Sequence, residues 1–276
     1  MLKPGDIVHR YKILETLSAG GFGETYKVQD IHGFHPISVL KKLQPFYQDS
    51  AILQDAQKRF FREAKVLQKL GEHPQIPDIY DYFEHEQNLY IVMELIEGVE
   101  LTKELQDKKK FTQNEAIDLL LEILEVLNFV HQDKTIHRDI KPSNLIRRNS
   151  DRKVILIDFG LVKQVEARHS NSEQVDFTAP IGTMGYTAPE QWEGNPQFSS
   201  DVYSLGIVCI KALKGWNFDI NKMTRDPQKN LIWCNPAHDT DVTQGFKNLL
   251  NKMTRHHYQE RYEDADNALE AVRNLQ

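Results

Sequence analysis

The residues His137-Arg138-Asp139-Ile140-Lys141-Pro142-Ser143-Asn144 and the later Asp158-Phe159-Gly160 carry the densest chemistry in this chain. Together they supply an acceptor for a hydroxyl proton, a cation to neutralise phosphate and two metal ligands. Moving the terminal phosphoryl group of ATP needs that set, because the reaction asks for positioning and charge neutralisation more than for covalent help. Asp139 to Asn144 reads as a short loop, with Lys141 two positions after the base. The run Lys153-Val154-Ile155-Leu156-Ile157 reads as a short buried strand that delivers Asp158 to the same place. The tripeptide His137-Arg138-Asp139 alone is weak evidence, whereas both blocks in this order are a specific signal.

These residues need a scaffold, and its elements are legible in outline. Residues 11 to 43 read as three strands, the first two flanking a glycine-bearing turn. Residues 52 to 70 read as a helix, with apolar side chains at spacings of three and four until Gly71 stops it. Leu89 to Met93 reads as another buried strand. After Gly98 the pattern turns helical. Thr112-Gln113-Asn114-Glu115 is a capping box that opens a helix to about His131. Further helices are expected near 199 to 213, 242 to 254 and 262 to 275, the last with Tyr262, Ala265, Ala268, Leu269, Val272 and Leu275 on one face. The polar segment 164 to 180 shows no periodicity and is expected to be a mobile loop. The fold class is therefore α+β and bilobal, with a small β-rich lobe over about 1–93, a hinge at about 94–98 and a larger helical lobe over about 99–276. All 276 residues are read as one domain.

Composition excludes several other classes. Apolar content of 40% and charged content of 27% suit an ordinary globule. A net charge of -6 gives no footprint for nucleic acid or anionic lipid. Cys209 and Cys234 are too few and too isolated for a disulfide framework or a metal site. No apolar run approaches the roughly 18 residues of a membrane span. Lys3, Pro4, Asp6, His9 and Arg10 interrupt any signal-peptide core at the start. The expectation is a cytoplasmic protein, or a cytosolic domain of a longer one, without nucleic-acid or membrane contact.

In these motifs the chain resembles the catalytic domain of eukaryotic-like Ser/Thr protein kinases, over nearly all its length. Gly20-Gly21-Phe22-Gly23-Glu24-Thr25-Tyr26 and Tyr186-Thr187-Ala188-Pro189-Glu190-Gln191 are similar to bacterial members, cyanobacterial ones in particular. The resemblance implies ATP and Mg2+ as cofactors, with Mn2+ as an alternative ion, and proteins carrying Ser or Thr as substrates. The family's three-glycine phosphate loop falls on Ser18, Gly20 and Gly23, so the first glycine is replaced. Backbone amides near Gly20 to Gly23 can still approach phosphate oxygens, with small Ala19 beside them and Phe22 at the tip. In isolation the same stretch reads as readily as a hairpin turn.

Lys41 matches the strand lysine that holds the alpha and beta phosphates, and Glu63 its ion-pair partner on the helix. Neighbouring Lys42 is the rival, but strand alternation sends the two to opposite faces. A surface carboxylate is the plain alternative for Glu63. The implied ATP contacts run from Leu17, Ser18, Ala19, Gly20, Gly21, Phe22 and Gly23 to Thr25. Val39 and Ile146 would sandwich the adenine with Met93 at its back, Glu94 to Ile96 would offer backbone hydrogen bonds, and Glu100 completes the set. Thr25 stands where the family usually has Val, and Val39 where it usually has Ala.

Asp139 resembles the catalytic base and Lys141 the group that steadies the moving phosphoryl. Asn144 and Asp158 would hold the metal, as an amide oxygen and a carboxylate suit a hard cation. Thr183 would hydrogen-bond Asp139 and Lys141, and it marks the Ser/Thr branch. Glu190 is expected to pair with Arg261, and Asp201 to brace the catalytic loop. Arg138 and Lys163 are expected to await an anion from the 161 to 181 loop, a phosphate on Thr178 first, with Ser170 and Ser172 as other candidates. The implied function is ATP- and Mg-dependent transfer to protein Ser/Thr hydroxyls, with autophosphorylation in that loop. The alternative is a pseudokinase interaction module, although Lys41, Glu63, Asp139, Asn144 and Asp158 are all present. Oligomeric state is left open.

Overall fold

Alternation of apolar and polar residues builds the first part of the chain. In the strand Gly23–Asp30, Tyr26 and Val28 are fully buried, while Lys27 between them is partly exposed. The computed structural model describes residues 1–20, 23–33, 37–43, 50–159, 183–234 and 241–275. These residues fall into two compact units, Met1–Glu97 and the part from Gly98 onward.

The first unit is a six-stranded antiparallel sheet with one helix. Its strands are β1 (Ile7–Val8), β2 (Tyr11–Gly20), β3 (Gly23–Asp30), β4 (Ile37–Leu43), β5 (Ile79–His85) and β6 (Asn88–Glu94), in the order β1-β2-β3-β4-β6-β5. Tyr11, Ile13, Tyr26, Val28, Leu40, Tyr90 and Val92 form a core on one face. The helix α1 (Ser50–Leu70) turns Phe60, Ala64, Leu67 and Leu70 inward and packs on β5 and β6.

The second unit is mainly helical. A three-stranded antiparallel sheet, β7 (Gly98–Glu100), β8 (Leu145–Arg148) and β9 (Val154–Leu156), accompanies helices α2 (Leu101–Lys108) and α3 (Gln113–Gln132). Then come α4 (Pro189–Trp192), α5 (Phe198–Lys214), α6 (Gln244–Met253) and α7 (Ala265–Arg273). The capping box of α3 forms: Thr112 Oγ1 accepts from the Glu115 amide at 3.3 Å, and the Glu115 carboxylate accepts from the Thr112 amide at 2.8 Å. In α5, 14 of 17 residues are buried, so this helix is the unit's centre rather than a surface helix. α3 packs against α5 and α7, and α6 lies on α5.

The expected helices and main strands are present, and the differences lie in short elements. β1, β7 and β8 have 2, 3 and 4 residues, too short to display a period. The chain after Gly98 therefore pairs as a strand before it turns helical. β5 (Ile-Tyr-Asp-Tyr-Phe-Glu-His) is half-buried along its length and lacks clean alternation. The last helix starts at Ala265, not 262, because the Asp264 side chain caps it by accepting from the Asn267 amide. The segment 164 to 180, expected to be a loop, lies outside the described residues.

One glycine is required by the sheet itself. Gly23 has φ +135°, and a Cβ there would collide with the Lys42 carbonyl oxygen on the neighbouring strand β4. Gly23→Ala is expected to destabilise the protein by about 1–3 kcal/mol, because both backbone conformation and space oppose the methyl. A thermal melt without nucleotide checks this, and an unchanged midpoint would contradict the geometry.

Candidate active site

β8 and β9 frame the chemistry in the second unit. The 137–144 loop enters β8 through a single 3-10 turn at Pro142–Asn144, and β9 ends just before Asp158. The Ile157 amide donates to the Asn144 carbonyl at 3.0 Å, which fastens the two predicted metal-binding segments together.

Four predicted site residues join here, three of them in a closed ring and Asn144 bonded to its Asp139. Lys141 Nζ lies 2.9 Å from Asp139 Oδ2 and donates to Thr183 Oγ1 at 3.1 Å. The Thr183 hydroxyl donates in turn to Asp139 Oδ1 at 3.2 Å. Asn144 Nδ2 donates to Asp139 Oδ2 at 3.0 Å and to the Asp139 carbonyl at 2.8 Å. Using Nδ2 this way turns the Asn144 amide oxygen the other way, so the oxygen a cation would need is the atom left for it. Thr187, which sequence reading took as motif wording only, clasps Thr183: its hydroxyl accepts from the Thr183 amide at 2.9 Å and donates to the Thr183 carbonyl at 3.2 Å.

The backbone beneath this ring is strained and strongly held. Arg138 and Asp158 both have left-handed φ, +67° and +66°, which side chains with a Cβ rarely adopt. Each such residue costs about 1–3 kcal/mol and persists only where its surroundings over-determine it. Asp201 on α5 supplies much of that hold. Its fully buried carboxylate accepts from the amides of His137 and Arg138, both at 2.8 Å, and from His131 Nε2 at 3.1 Å. Burial raises the Asp201 pKa, yet the His131 hydrogen bond first, and the His137 amide with it, outweigh burial and hold the group below its ordinary value. At the other end of Arg138, Gln191 Nε2 donates to its carbonyl at 2.6 Å.

The two histidines have assignable roles. His137 Nδ1 accepts from the Asp139 amide at 3.3 Å, so Nε2 carries the proton and donates to the Ile157 carbonyl at 3.1 Å. Burial holds His137 below its ordinary pKa, the attraction of Asp201 and Asp139 notwithstanding. Phe159 is buried against it, with ring centres 4.5 Å apart. His131 Nδ1 accepts from the Ala265 amide at 3.2 Å, so the start of α7 reaches the 137–144 loop through His131 and Asp201. No local pattern in the sequence pointed to His131, the last but one residue of an apolar helix.

Glu190 and Arg261 form the expected pair, bidentate at 2.7 and 2.8 Å and essentially without solvent exposure. Arg261 also donates to the carbonyls of Arg255, His256 and Ser199, and its guanidinium lies 4.6 Å from the Tyr203 ring centre. Removing one partner of such a pair costs about 3–5 kcal/mol, because the other charge stays buried.

In the first unit, Lys41 is half-buried on β4, opposite Thr25 on β3 and Ile91 on β6. Its rival Lys42 stands opposite Glu24 and lies 3.8 Å from that carboxylate, so strand alternation has committed it elsewhere. Glu63 is half-buried next to the fully buried Ala64 of α1. Val39 faces Met93 in register, Glu94 accepts a weak bond from the Asp78 amide at 3.4 Å, and Ile96 is buried. Leu17 is exposed, and a register shift between Thr16 and Ser18 precedes the pairs Ser18–Thr25, Ala19–Glu24 and Gly20–Gly23. In the second unit Glu100 pairs with Ile146 between β7 and β8. Gly21, Phe22, Lys163 and Thr178 lie outside the described residues.

Residues 11–272 match the family described as protein kinase domain. Serine/threonine-protein kinase C of Synechocystis sp. is 41% identical over 263 residues, 93% of this chain and 48% of that protein. Serine/threonine-protein kinase PknA of Nostoc sp. is 36% identical over 268 residues, 96% of this chain and 47% of that protein. The chain thus spans about half the length of the curated relatives it matches. The crystal structure of the Mycobacterium tuberculosis PknI kinase domain superposes with a TM-score of 0.73 at 21% identity, covering 100% of both chains. At that identity the likeness speaks for the fold.

The depressed histidines make an acid-stability prediction. His137 and His256 both sit below the ordinary histidine value of about 6.5 when folded, so unfolding lets them take up protons. Their contribution is complete above pH 6.5 and is lost as pH falls toward the folded values. Urea unfolding at pH 7.5, 6.5 and 5.5 should therefore show falling stability, with a shallower fall in His137→Gln. An equally steep fall in the variant would contradict the assignment.

Proposed function

This chain belongs to the protein kinase domain family, and from that premise we propose that it transfers the gamma-phosphoryl group of ATP to Ser or Thr hydroxyls of proteins. The observation that carries this reading is the cluster of Asp139, Lys141, Thr183 and Asn144. A hydroxyl brought to Asp139 meets a carboxylate already oriented by three donors and able to take its proton. Lys141 stands beside that carboxylate as a cation for the moving phosphoryl group. Because both oxygens of Asp139 are fixed, little reorganisation is left for the moment of transfer.

Asn144 and Asp158 fit the metal's needs, since one amide oxygen and one carboxylate, with phosphates and water, suit Mg2+. When bound, Mg-ATP supplies the phosphoryl group and neutralises its charge. Lys41 would pair with Glu63 and hold the alpha and beta phosphates. Val39, Met93, Glu94, Ile96, Glu100 and Ile146 would form the adenine pocket, and residues Leu17 to Gly23 with Thr25 the phosphate cover. Residues 1–276 would act as one kinase domain, with its hinge at about 94–98.

Regulation is proposed to act through Arg138. Asp201 and Gln191 bind its backbone on both sides, so its side chain leaves from a fixed point. A phosphate on Thr178 would bring about 1.5–2 negative charges to Arg138 and Lys163. Thr178→Ala is then expected to lower activity, and mass spectrometry finding that loop unmodified in fully active protein would overturn the switch.

Labelled-phosphate transfer from Mg-ATP to a generic protein acceptor tests the main reading. Asp158→Ala and Lys41→Met should each lower it by about 10²–10³-fold or more, with unchanged melting. The labelled product should be phosphoserine or phosphothreonine. Comparable activity in folded Asp158→Ala, or mainly phosphotyrosine, would refute it.

A further inference from the structure

Just past Thr183 the second unit holds an open pocket of about 490 Å³, within the range usual for ligand sites. Met184, Gly185 and Thr187 form its side toward the Asp139 ring, and Arg225, Lys229 and His256 provide three basic side chains to its lining. No Asp or Glu lines it among the described residues. The surrounding carboxylates are committed to other partners. Both oxygens of Asp226 accept from Asn230, at 2.8 and 3.0 Å. Glu190 is held by Arg261 and Ser200, and Asp219 accepts from the Asn221 amide and lies 3.7 Å from Lys222.

The basic groups are also prearranged. Arg225 and Leu231 bridge the turn that contains Asp226 to Asn230, and Arg225 donates to the Lys229 carbonyl at 2.8 Å. The same buried Asn230 accepts from the His256 amide at 2.9 Å, which hangs the histidine on that turn. Among the described residues, His256 Nδ1 is buried without a hydrogen-bond partner. Burial first, then the charges of His257, Lys229, Arg225 and Arg261, hold the ring below its ordinary pKa. Three donors around a carboxylate-free pocket describe an anion site waiting for its ligand.

We propose that this pocket receives an acidic group of the polypeptide acceptor, a carboxylate or a phosphate near the residue to be phosphorylated. The proposal rests on the transferase reading above and adds the substrate class: Ser/Thr sites flanked by acid. Thr183 connects the two, since it bonds Asp139 and immediately precedes the pocket's first residue.

The test uses the intact chain and peptides that share one Ser acceptor and differ only in one flanking residue, Gln, Glu or phosphoserine, placed in turn at each position. With Mg-ATP, one flanking position should show kcat/KM raised by about tenfold for acid over Gln, the effect of one partly desolvated charge pair. The Glu and phosphoserine arms separate carboxylate from phosphate. In Lys229→Glu the preference should vanish and a Lys-flanked peptide should take its place. Arg225→Gln, which keeps a donor for the Lys229 carbonyl, should weaken the acid preference as well. Fluorescence anisotropy of the same peptides on Asp158→Ala protein reads binding without turnover, so the pocket is tested even if transfer itself fails. Equal binding of Gln and acidic peptides, or an acid preference that survives Lys229→Glu, would overturn the proposal.

Discussion

The buried carboxylate of Asp201 is the constraint on which the second unit's chemistry depends. It takes three hydrogen bonds, two of them from the consecutive amides of His137 and Arg138. A carboxylate without solvent is costly unless its lone pairs are used, and here the donors outweigh the burial. The bond is mutual: the same contacts that make burial tolerable hold Arg138 in a left-handed conformation. From that fixed backbone the Asp139 side chain meets Thr183, Lys141 and Asn144. Because His131 also takes the Ala265 amide, α7 and the 137–144 loop share one network.

A second buried charge stabilises the segment that follows the site. Glu190 and Arg261 neutralise each other, and the guanidinium's remaining donors go to three backbone carbonyls. The pair connects α4, which carries Glu190, to the start of α5 and to the Arg255–His256 turn. It therefore holds Pro189 and His256, two lining residues of the basic pocket, in one frame. Full satisfaction of both ions matters more than their attraction, since a half-satisfied buried pair would be worse than an apolar contact.

In the first unit the pleat makes the selection. Adjacent lysines on β4 face opposite ways, and Glu24 engages Lys42 with the same carboxylate that accepts the Tyr26 hydroxyl at 2.6 Å. Lys41 is left on the other face. Gly23 has a double constraint, because strand β4 needs its missing Cβ whether or not a phosphate approaches. A glycine read from sequence as phosphate-binding can thus be required first by its own sheet.

Much of this was readable from residue order. The capping box at Thr112 located α3, periodicity located α1 and the body of α7, and the spacing of Asp139, Lys141, Asn144 and Asp158 pointed to phosphoryl transfer. Such features are local: each depends on residues within a turn or a strand, and one stretch of chain carries the whole signal. The short strands β1, β7 and β8 escaped because they exist only through their partners. His131, Gln191 and Thr187 escaped for the same reason; an ordinary histidine, glutamine and threonine become structural members only when α7, Arg138 and Thr183 arrive beside them. Arg225, Lys229 and His256 are the strongest case. They are scattered over about thirty positions with no motif among them, and tertiary hydrogen bonds, those of Asn230 and of Arg225 to the Lys229 carbonyl, gather them around one pocket. Sequence determined which side chains were available and which local turns would form. Tertiary structure decided which charges are neutralised and which are left to meet a ligand, because that depends on distances between residues far apart in the chain.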